Sequence, residues 1–307
     1  SQPDCDANKK ILQDEKLIPF YIAIDTHVTE SSVFADLLLP EATYLERLEI
    51  ESPPALEMIP FISIRQPVVK PLGESVAFMD MLIELAGRIK RDMEKYFPYG
   101  SAEDYWTAIL SQFPALVGAG GMDYLREHGW WMESRAKREY QAYLKKGFAT
   151  PSGKLEIYSP KMEAAGYSAL PAYRPIAEHK KLKDEELILT TFQWNVHTHF
   201  STANCKWLAE IIHANPAWIN SRVAEQRGIR DGDAIRVTSR LGSIVTRAYV
   251  TQGIHPRVIA ISDNCGHWQF GRVAQAQRFR SPDPETMLIW WGKEGNGVHP
   301  NPIIPAA

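Results

Sequence analysis

The sequence predicts an α/β region followed by a small mixed β-barrel. A strand, a short helix and a second strand follow one another within residues 19–40, an order typical of an open α/β sheet. After residue 185 the pattern changes to short strands with alternating apolar residues, separated by tight turns. The polar, basic stretch 171–184 lies between the two patterns, and 307 residues are enough for about two domains.

The elements of the first region follow from its apolar spacing. The run at 19–25 is continuously apolar, which predicts a strand buried on both faces, as in a parallel sheet. It is followed by a short helix at 31–35 and a strand at 36–40, whereas the proline-rich stretch 53–72 predicts loop and irregular strand. Further helices are predicted at 8–16, at 75–95 with amphipathic spacing, and at 102–146 with a break at 118–121.

The second region is predicted to be mostly strand. Ile235 and Val237, and then Ile244 with every second residue to Val250, are apolar or small and alternate with polar residues, as expected for half-buried strands. A tight turn with glycine at 229–233 precedes them. The predicted strands are 186–191, 234–239, 243–251 and 257–262, and the predicted helices are 206–213 and 221–227.

Composition excludes several classes of function. With 34 basic and 37 acidic residues and a net charge of −3, the chain lacks the basic excess of a nucleic-acid-binding protein. No apolar run approaches the roughly 18 residues that a membrane span requires. The three cysteines, Cys5, Cys205 and Cys265, form no C-x-x-C pair, so neither a zinc ribbon nor a disulfide scaffold is indicated.

Four blocks of sequence occur in a characteristic order. They are Asp25-Thr-His-Val-Thr-Glu30 with 35–40 and Glu46; the run 147–159, containing Thr150-Pro-Ser-Gly-Lys154, with Gly166 and 170–173; Asn195-Val-His-Thr198 with 228–233; and Gly297-Val-His-Pro-Asn301. In this order they resemble the dimethyl-sulfoxide-reductase family of molybdopterin-dinucleotide oxidoreductases. Residues 195–198, 203–208 and 215–220 look closest to the catalytic subunits of thiosulfate, polysulfide and sulfur reductases.

The resemblance implies a fold and a cofactor. Residues 1–175 would be the C-terminal part of the α/β molybdopterin oxidoreductase core, and residues 183–307 a mixed six-stranded double-psi-type β-barrel that binds the dinucleotide. The implied cofactor is molybdenum bis(molybdopterin guanine dinucleotide). In this family the cysteine motif for an iron–sulfur cluster and the metal ligand lie upstream of the matching region. We therefore expect the chain to correspond to the C-terminal two-fifths of the enzyme, truncated at both ends, with a 4Fe-4S cluster in the missing N-terminal part.

The resemblance also implies an activity and partners. The intact enzyme would reduce or oxidise a sulfur compound such as thiosulfate or polysulfide in anaerobic respiration. Its expected partners are the remaining N-terminal part of the same catalytic subunit, an iron–sulfur electron-transfer subunit and a membrane anchor subunit, with neither nucleic acid nor a direct membrane span. The expected location is the periplasm or the outer face of the cytoplasmic membrane, with the cytoplasm as the alternative.

Polar residues after the first barrel strand form the centre of the predicted cofactor site. Seven polar side chains occur within residues 195–204, which fits a loop at the C-terminal edge of a sheet, where ligands usually bind, or a solvated polar loop. No catalytic residue and no metal ligand is predicted. The resemblance implies the following cofactor-binding residues: Asp25, Thr191, Asn195, His197, Thr198, Ser201, Asn204, His267, Trp268, His299 and Asn301.

Simpler interpretations exist for several of these residues. A tryptophan after a strand, such as Trp268, is more often part of core packing than a ligand contact, and His299 is equally suited to a surface loop. Asp25 at a strand end can accept hydrogen bonds from a nucleotide or cap the next helix, although Thr29 and Ser31 are better placed for capping.

Zinc, phosphate-loop and hydrolase chemistries are poorly supported by the sequence. His197 and His199, about 6–7 Å apart if they lie in a strand, lack a third ligand for zinc nearby. Lys154 lacks the glycine spacing of a phosphate-binding loop, and no G-x-S-x-G elbow supports a hydrolase. The remaining alternative for the whole chain is a barrel-type binding or assembly module with no redox role.

Overall fold

The computed structural model describes residues 3–51, 58–89, 91–133, 136–199, 201–202, 205–266 and 297–305. Two compact units are present. One comprises Ser1–Leu39 together with Pro175–Ala307, and the other Pro40–Arg174. The predicted domains, 1–175 and 183–307, stay a prediction, because units defined by packing and domains defined by family need not coincide.

The N-terminal elements are α1 (Cys5–Leu12), β1 (Ile22–Asp25), a 3-10 helix (Ser32–Phe34) and β2 (Leu37–Pro40). Asp4 begins α1, because its carboxylate accepts a hydrogen bond from the Ala7 amide. Strands β1 and β2 form a two-stranded sheet. The prediction of a strand buried on both faces was wrong for β1: Ala23 is its one buried residue, and Ile22 is 45% exposed.

The unit Pro40–Arg174 combines a small antiparallel sheet with helices. Its strands are β3 (Glu49–Glu51), β4 (Phe61–Arg65) and β5 (Trp130–Met132), in the order β3-β4-β5, and its helices are α2 (Phe78–Ile89), α3 (Ala102–Leu110), α4 (Pro114–Ala119), α5 (Gly121–His128), α6 (Tyr143–Lys146) and α7 (Pro160–Ala164). A 3-10 helix follows α2 at Arg91–Tyr96. Ile62, Leu110, Leu116 and Leu125 are buried together and form the core of this unit.

The helical prediction for 102–146 was only partly correct. Gly129, with a φ of 82°, ends α5, and the chain then forms strand β5. Its residues Trp130, Trp131 and Met132 pair with Ser63, Ile62 and Phe61 of β4, because aromatic side chains pack well on a pleated surface. The stretch predicted as irregular strand therefore contains the regular central strand β4.

The C-terminal elements comprise a five-stranded mixed sheet and several short helices. They are α8 (Ala177–Lys180), β6 (Ile188–Phe192), α9 (Lys206–Ile211), β7 (Ala217–Asn220), α10 (Ser221–Gln226), β8 (Ala234–Thr238), β9 (Ser243–Thr251), β10 (Val258–Ser262) and a 3-10 helix (Asn301–Ile303). The strand order is β6-β10-β7-β9-β8. β10 is parallel to β6 and antiparallel to β7, β7 is parallel to β9, and β8 is antiparallel to β9.

One face of this sheet carries the core of the unit. Along β9 the residues alternate between exposed and buried from Ser243 to Tyr249, as the sequence predicts. Ile244 of β9 packs with Ala217, Ile259, Ile261 and Ile303. Strand β7 was missed, because its four residues follow Pro216 and are too few to show alternation. A six-stranded double-psi barrel is not confirmed, since the described part of the sheet has five strands.

Among the described residues, no helix combines the length and the apolarity needed to cross a lipid bilayer.

Candidate functional site

The candidate site lies at the C-terminal edge of β6 and β10, here called the rim. Because the two strands are parallel and Phe192 pairs with Ser262, the segments that follow them leave the sheet at the same edge. Ligands in sheets of this kind usually bind where parallel strands end. The Asp263 amide donates a hydrogen bond to the Phe192 carbonyl and holds the two exits together.

The segment after β6 folds into turns rather than continuing as a strand. The His197 amide donates to the Trp194 carbonyl, the Ser201 amide donates to the Thr198 carbonyl, and His199 has a φ of 47°. Because 197 and 199 lie in turns, the strand geometry that would place two histidines on one face is absent here. Four predicted cofactor residues are exposed and accessible to a ligand: Thr191, Asn195, Thr198 and Ser201.

His197 holds this loop in place from inside. It is 6% exposed, and its Nε2 lies 2.7 Å from the Ile212 carbonyl oxygen. A carbonyl only accepts, so Nε2 carries the proton and Nδ1 accepts from the Thr202 hydroxyl at 3.2 Å. That hydroxyl oxygen in turn accepts from the Thr198 amide at 2.9 Å. Both ring nitrogens of His197 therefore have protein partners.

Asn264 connects the loop to the end of β10. Its side chain is fully buried, and its Nδ2 donates to the Trp194 carbonyl at 3.1 Å and to the His197 carbonyl at 3.3 Å. Its Oδ1 accepts from the Ser262 hydroxyl and from the Trp194 amide. Both the nitrogen and the oxygen of the Asn264 side-chain amide are thus bonded within the protein itself.

Asn215 makes a second set of buried contacts next to Ser262. Its Nδ2 donates to the Ser262 carbonyl at 2.9 Å and to the Val298 carbonyl at 2.8 Å. Its Oδ1 accepts from the Ser262 amide at 3.2 Å, and its carbonyl accepts from the Thr246 hydroxyl at 2.7 Å. Asn215 is 2% exposed, so these bonds are shielded from water.

The segment 297–301 passes close beside the rim. The His299 Nε2 donates to the Asp263 carbonyl at 2.8 Å, and its Nδ1 accepts from the Asn301 amide at 3.1 Å. A pterin contact by the His299 ring nitrogens would require exchange of one of these bonds. Asn301 is 6% exposed, and its carbonyl accepts from the Asp4 amide.

Two glycines permit this close approach. A Cβ on Gly266 would lie 2.2 Å from the His299 nitrogen, and one on Gly297 would lie 2.8 Å from the Asn215 Cβ. Both residues also have a positive φ, of 100° and 78°, which side chains of L-residues rarely adopt. Glycine is therefore required at both positions.

Two side chains at the end of β10 have unusual electrostatics. The Asp263 Oδ1 is buried and has no hydrogen-bond partner among the described residues. Cys265 is 1% exposed, and burial, together with the nearby Asp263 carboxylate, raises the pKa of its thiol to about 12. Cys265 is therefore an inert thiol at neutral pH, whereas Asp263 presents an acceptor oxygen for which the described part of the chain supplies no donor.

An aromatic cluster flanks the loop. Trp194 contacts Phe192 edge to face at 5.0 Å between ring centroids and Trp218 at 5.6 Å, and Trp218 contacts Tyr249 at 5.1 Å. The indole nitrogens of Trp194 and Trp218 are buried without an oxygen or nitrogen acceptor among the described residues. Tilted and edge-to-face packing of this kind places N–H groups near ring faces, which are weak acceptors.

The other predicted site residues are placed as follows. Asp25 ends β1, and its Oδ1 accepts from the His27 amide at 3.3 Å, so its carboxylate stabilises its own turn. It does not cap the following 3-10 helix, whose preceding residue Ser31 makes no side-chain cap either. Asn204, His267 and Trp268 lie outside the described residues. Within the described ranges, no group of three potential metal-ligating side chains comes together.

Sequence reasoning missed Asn215, Ser262 and Asp263. All three lie within or beside quoted stretches, but no local pattern distinguishes a buried asparagine from an exposed one.

Comparison with known proteins identifies similar sequences, both over the region that contains the rim and over most of the chain. Residues 187–282 match the sequence family described as "Molydopterin dinucleotide binding domain". The chain is 28% identical over 283 residues to dimethyl sulfoxide reductase DmsA of Escherichia coli (strain K12), covering 84% of this chain and 34% of that protein. It is 28% identical over 264 residues to the thiosulfate reductase molybdopterin-containing subunit PhsA of Salmonella typhimurium, covering 78% and 33%.

Over residues 187–282 the chain is thus similar to a molybdopterin-dinucleotide-binding domain. Over most of its length it is similar to a dimethyl sulfoxide reductase and to the molybdopterin-containing subunit of a thiosulfate reductase, as the ordered motifs indicated. The chain spans about a third of the length of the curated relatives that it matches.

A solved structure extends the comparison to the fold. Acetylene hydratase from Pelobacter acetylenicus matches the whole of this chain with a TM-score of 0.70 and 22% identity, and the match covers 39% of that protein. At this identity the likeness establishes the fold and leaves the reaction open, because one fold hosts several chemistries.

Proposed function

We propose that this chain is part of a molybdenum-dependent oxidoreductase that holds molybdenum bis(molybdopterin guanine dinucleotide) and acts on a sulfur compound such as thiosulfate or polysulfide. The cofactor assignment is based on one observation. At the rim, exposed polar side chains stand on a buried hydrogen-bonded frame where two parallel strands end, inside the stretch that matches the dinucleotide-binding family. Proteins place ligand-binding groups at this position in a sheet.

The residues at the rim fit the chemistry of the cofactor. Pterin and guanine rings present N–H donors and O or N acceptors along their edges. The exposed Thr198 and Ser201 hydroxyls can donate or accept, and the Asn195 amide can do both. Asp263 offers a buried acceptor oxygen that has no donor among the residues that the structure describes. We therefore assign direct contacts to Thr191, Asn195, Thr198, Ser201 and Asp263, and a supporting role to His197.

The remaining predicted contacts belong to the same proposal. His299 bonds to the Asp263 carbonyl, and Asn301 bonds to His299. The ring face of His299 is its most suitable contact with the cofactor, because both ring nitrogens are occupied. Asn204, His267 and Trp268 are proposed contacts outside the described residues, and Asp25 is a proposed contact at the end of β1. A sixth strand that completes a double-psi barrel is part of the same proposal.

When bound, the molybdenum cofactor supplies two-electron transfer. For thiosulfate, two electrons and two protons break the sulfur–sulfur bond and yield sulfite and hydrogen sulfide. The residues of this chain would bind the dinucleotide, orient it and exclude water from its edges. The electrons would reach it through a 4Fe-4S cluster in the remaining N-terminal part of the same subunit, supplied by an iron–sulfur partner subunit and a membrane anchor subunit.

The stretch 136–176 is rich in exposed apolar residues, and this supports the proposal that the protein has further protein partners. Between residues 136 and 176 no residue is buried, although the Thr150-Pro-Ser-Gly-Lys154 motif forms an ordered turn in which the Thr150 hydroxyl donates to the Lys154 carbonyl at 2.6 Å. Large apolar residues that are exposed in such number usually pack against other protein. Its exposed large apolar residues are Tyr140, Tyr143, Leu144, Leu155, Ile157, Tyr158, Met162, Tyr167, Leu170, Tyr173 and Ile176.

The physiological setting is proposed by analogy with the named relatives, which include dimethyl sulfoxide and thiosulfate reductases. Anaerobic respiration on the periplasmic or outer face of the cytoplasmic membrane is the setting we favour. The alternative of a binding or assembly module without redox role is less favoured, because both named relatives are reductases that match across most of this chain.

The test is a metal and nucleotide analysis of the protein purified at its natural length from an anaerobic culture. We expect molybdenum and guanine nucleotide in a molar ratio near one to two. We also expect the protein to oxidise a reduced viologen dye when thiosulfate or polysulfide is the electron acceptor. Dimethyl sulfoxide serves as the comparison substrate. Active protein without molybdenum or guanine nucleotide would contradict the cofactor assignment, and loaded protein that turns over only dimethyl sulfoxide would contradict the sulfur-compound assignment.

A further inference from the structure

We propose that Asn215, Ser262 and Asn264 form a buried brace that fixes two segments containing predicted cofactor residues, 193–202 and 297–301, relative to each other. None of the three is assigned to touch the cofactor. They would act as positioning residues, so the inference rests on the proposed function and concerns how the site is held ready for the dinucleotide.

The brace begins at the segment 297–301. Asn215 uses one amide group to bond both the Val298 carbonyl, at 2.8 Å, and the Ser262 carbonyl, at 2.9 Å. Its Oδ1 accepts from the Ser262 amide at 3.2 Å. Gly297 lies directly against the Asn215 Cβ, which leaves no room for another side chain. The position of segment 297–301 is therefore tied to the end of β10.

The brace continues to the loop after β6. The Ser262 hydroxyl donates to the Asn264 Oδ1 and accepts from the Asn264 amide at 3.3 Å. Asn264 then donates to the carbonyls of Trp194 and His197. An unbroken series of hydrogen bonds thus runs from Val298 to His197, the residue that holds the loop from inside.

Burial distinguishes the brace from a ligand-contacting group. The three side chains are 2%, 0% and 0% exposed, and both amide groups have protein partners on nitrogen and oxygen. Every N–H and O–H donor of the three buried side chains is used within the protein, so their effect on a cofactor must pass through the backbone of the two segments. A frame of this kind lowers the ordering cost of binding, which affects how long a ligand stays bound.

The opposing interpretation is that these residues only stabilise the unit, and Asn220 offers a matched control. It is also a buried asparagine of the same sheet, 7% exposed, with its Nδ2 donating to the Ile254 carbonyl at 2.6 Å and its Oδ1 accepting from the Arg222 amide at 3.0 Å. It joins the start of α10 to the turn after β9 and contacts neither predicted cofactor segment.

The experiment compares Asn215→Ala and Asn220→Ala in the protein at its natural length. Three quantities are measured: the midpoint of thermal unfolding, the rate at which guanine nucleotide is released after dilution, and amide exchange at 195–199 in cofactor-free protein. We expect both variants to lower the midpoint similarly. Release should be about tenfold faster or more in Asn215→Ala and within about twofold of wild type in Asn220→Ala, with faster exchange at 195–199 only in the former.

Each outcome distinguishes a positioning role of the three residues from a purely stabilising one. Unchanged release in Asn215→Ala, or equal acceleration in both variants, would overturn the brace. If Asn215→Ala does not fold, Ser262→Ala removes one hydroxyl from the middle of the series and takes its place, with the same expected result. A wild-type protein that contains no guanine nucleotide would instead overturn the proposed function, so the two failures are distinguishable.

Discussion

Asp263 combines two roles that a single substitution can separate. Its carbonyl accepts from His299, while its buried Oδ1 lacks a donor among the described residues. Asp263→Asn keeps the backbone bond and removes the charge. We expect retention of the cofactor to weaken by about 10- to 100-fold, since hydrogen bonds to charged groups contribute roughly 1.5–3 kcal/mol. The dissociation rate of guanine nucleotide measures this effect.

Asp233→Asn is the control for that substitution. The Asp233 Oδ2 accepts from the Arg230 amide in the turn before β8, away from the rim. Equal weakening of cofactor retention in both variants would show that Asp263 has no specific role.

The cysteines should differ sharply in reactivity. Burial raises the pKa of Cys265 to about 12, whereas Cys205 is exposed. Because the thiolate is the nucleophile, a disulfide reagent at pH 8 should modify Cys205 in the folded protein and Cys265 only after unfolding. Peptide mapping by mass spectrometry identifies the labelled residue, and Cys205→Ser should abolish the rapid phase. Rapid labelling of Cys265 in folded protein would show that the end of β10 is open.

At the scale of elements, the approach of Gly266 to His299 is the most constrained contact. A Cβ at Gly266 would lie 2.2 Å from a backbone nitrogen, so Gly266→Ala must displace the chain. We expect a loss of more than about 3 kcal/mol in the stability of this unit, within the range known for overpacked or strained sites. Chemical unfolding monitored by tryptophan fluorescence measures the loss.

Gly228→Ala separates crowding from backbone strain. Gly228 has a φ of 65° in the same unit, but nothing lies within 4 Å of its Cβ position. Only the positive φ is then unfavourable, which costs about 1 kcal/mol. Similar losses in both variants would contradict the crowded geometry at Gly266.

Glu46 makes the loop around it sensitive to acid. Its carboxylate accepts from the Thr43 amide at 2.7 Å and the Leu72 amide at 2.9 Å, and these backbone hydrogen bonds, that to Thr43 foremost, lower its pKa below 4.5. A lowered carboxylate pKa stabilises the fold above about pH 4.5, and that stabilisation is lost as the pH falls through the lower, folded value.

Amide exchange at Thr43 and Leu72 should therefore accelerate below pH 4.5, after correction for the intrinsic rate. Glu46→Gln should remove this pH dependence. An unchanged pH profile in Glu46→Gln would rule out the carboxylate as its cause.

The elements themselves were predictable to different degrees. Strand β9 followed from alternation, since one face is buried and the other exposed. Strands β5 and β7 have only three and four residues, and their pairing with distant strands decides their structure. Local sequence carries little information about such long-range contacts.

At the scale of the whole molecule, the ordered motifs indicated the same kind of relatives that the comparisons found, while the sequence could not show how the site is supported. His197 was expected at the cofactor, yet both its ring nitrogens bond to the protein. Asn215 and Ser262 gave no signal, because their roles depend on segments 47 and 83 residues away in the chain. Motifs predict exposed candidate residues, whereas the buried residues that support them become visible in the three-dimensional structure.

The central claim is that the rim of this chain holds the molybdopterin dinucleotide. Hydrogen exchange tests this claim most directly. It is measured on the protein at its natural length in two forms: loaded with the cofactor, and purified from cells that cannot make the cofactor. The account predicts strong protection of residues 193–202 and 297–301 in the loaded protein, with Gly121–His128 of α5 as an internal reference. Equal exchange of both rim segments with and without the cofactor would contradict it.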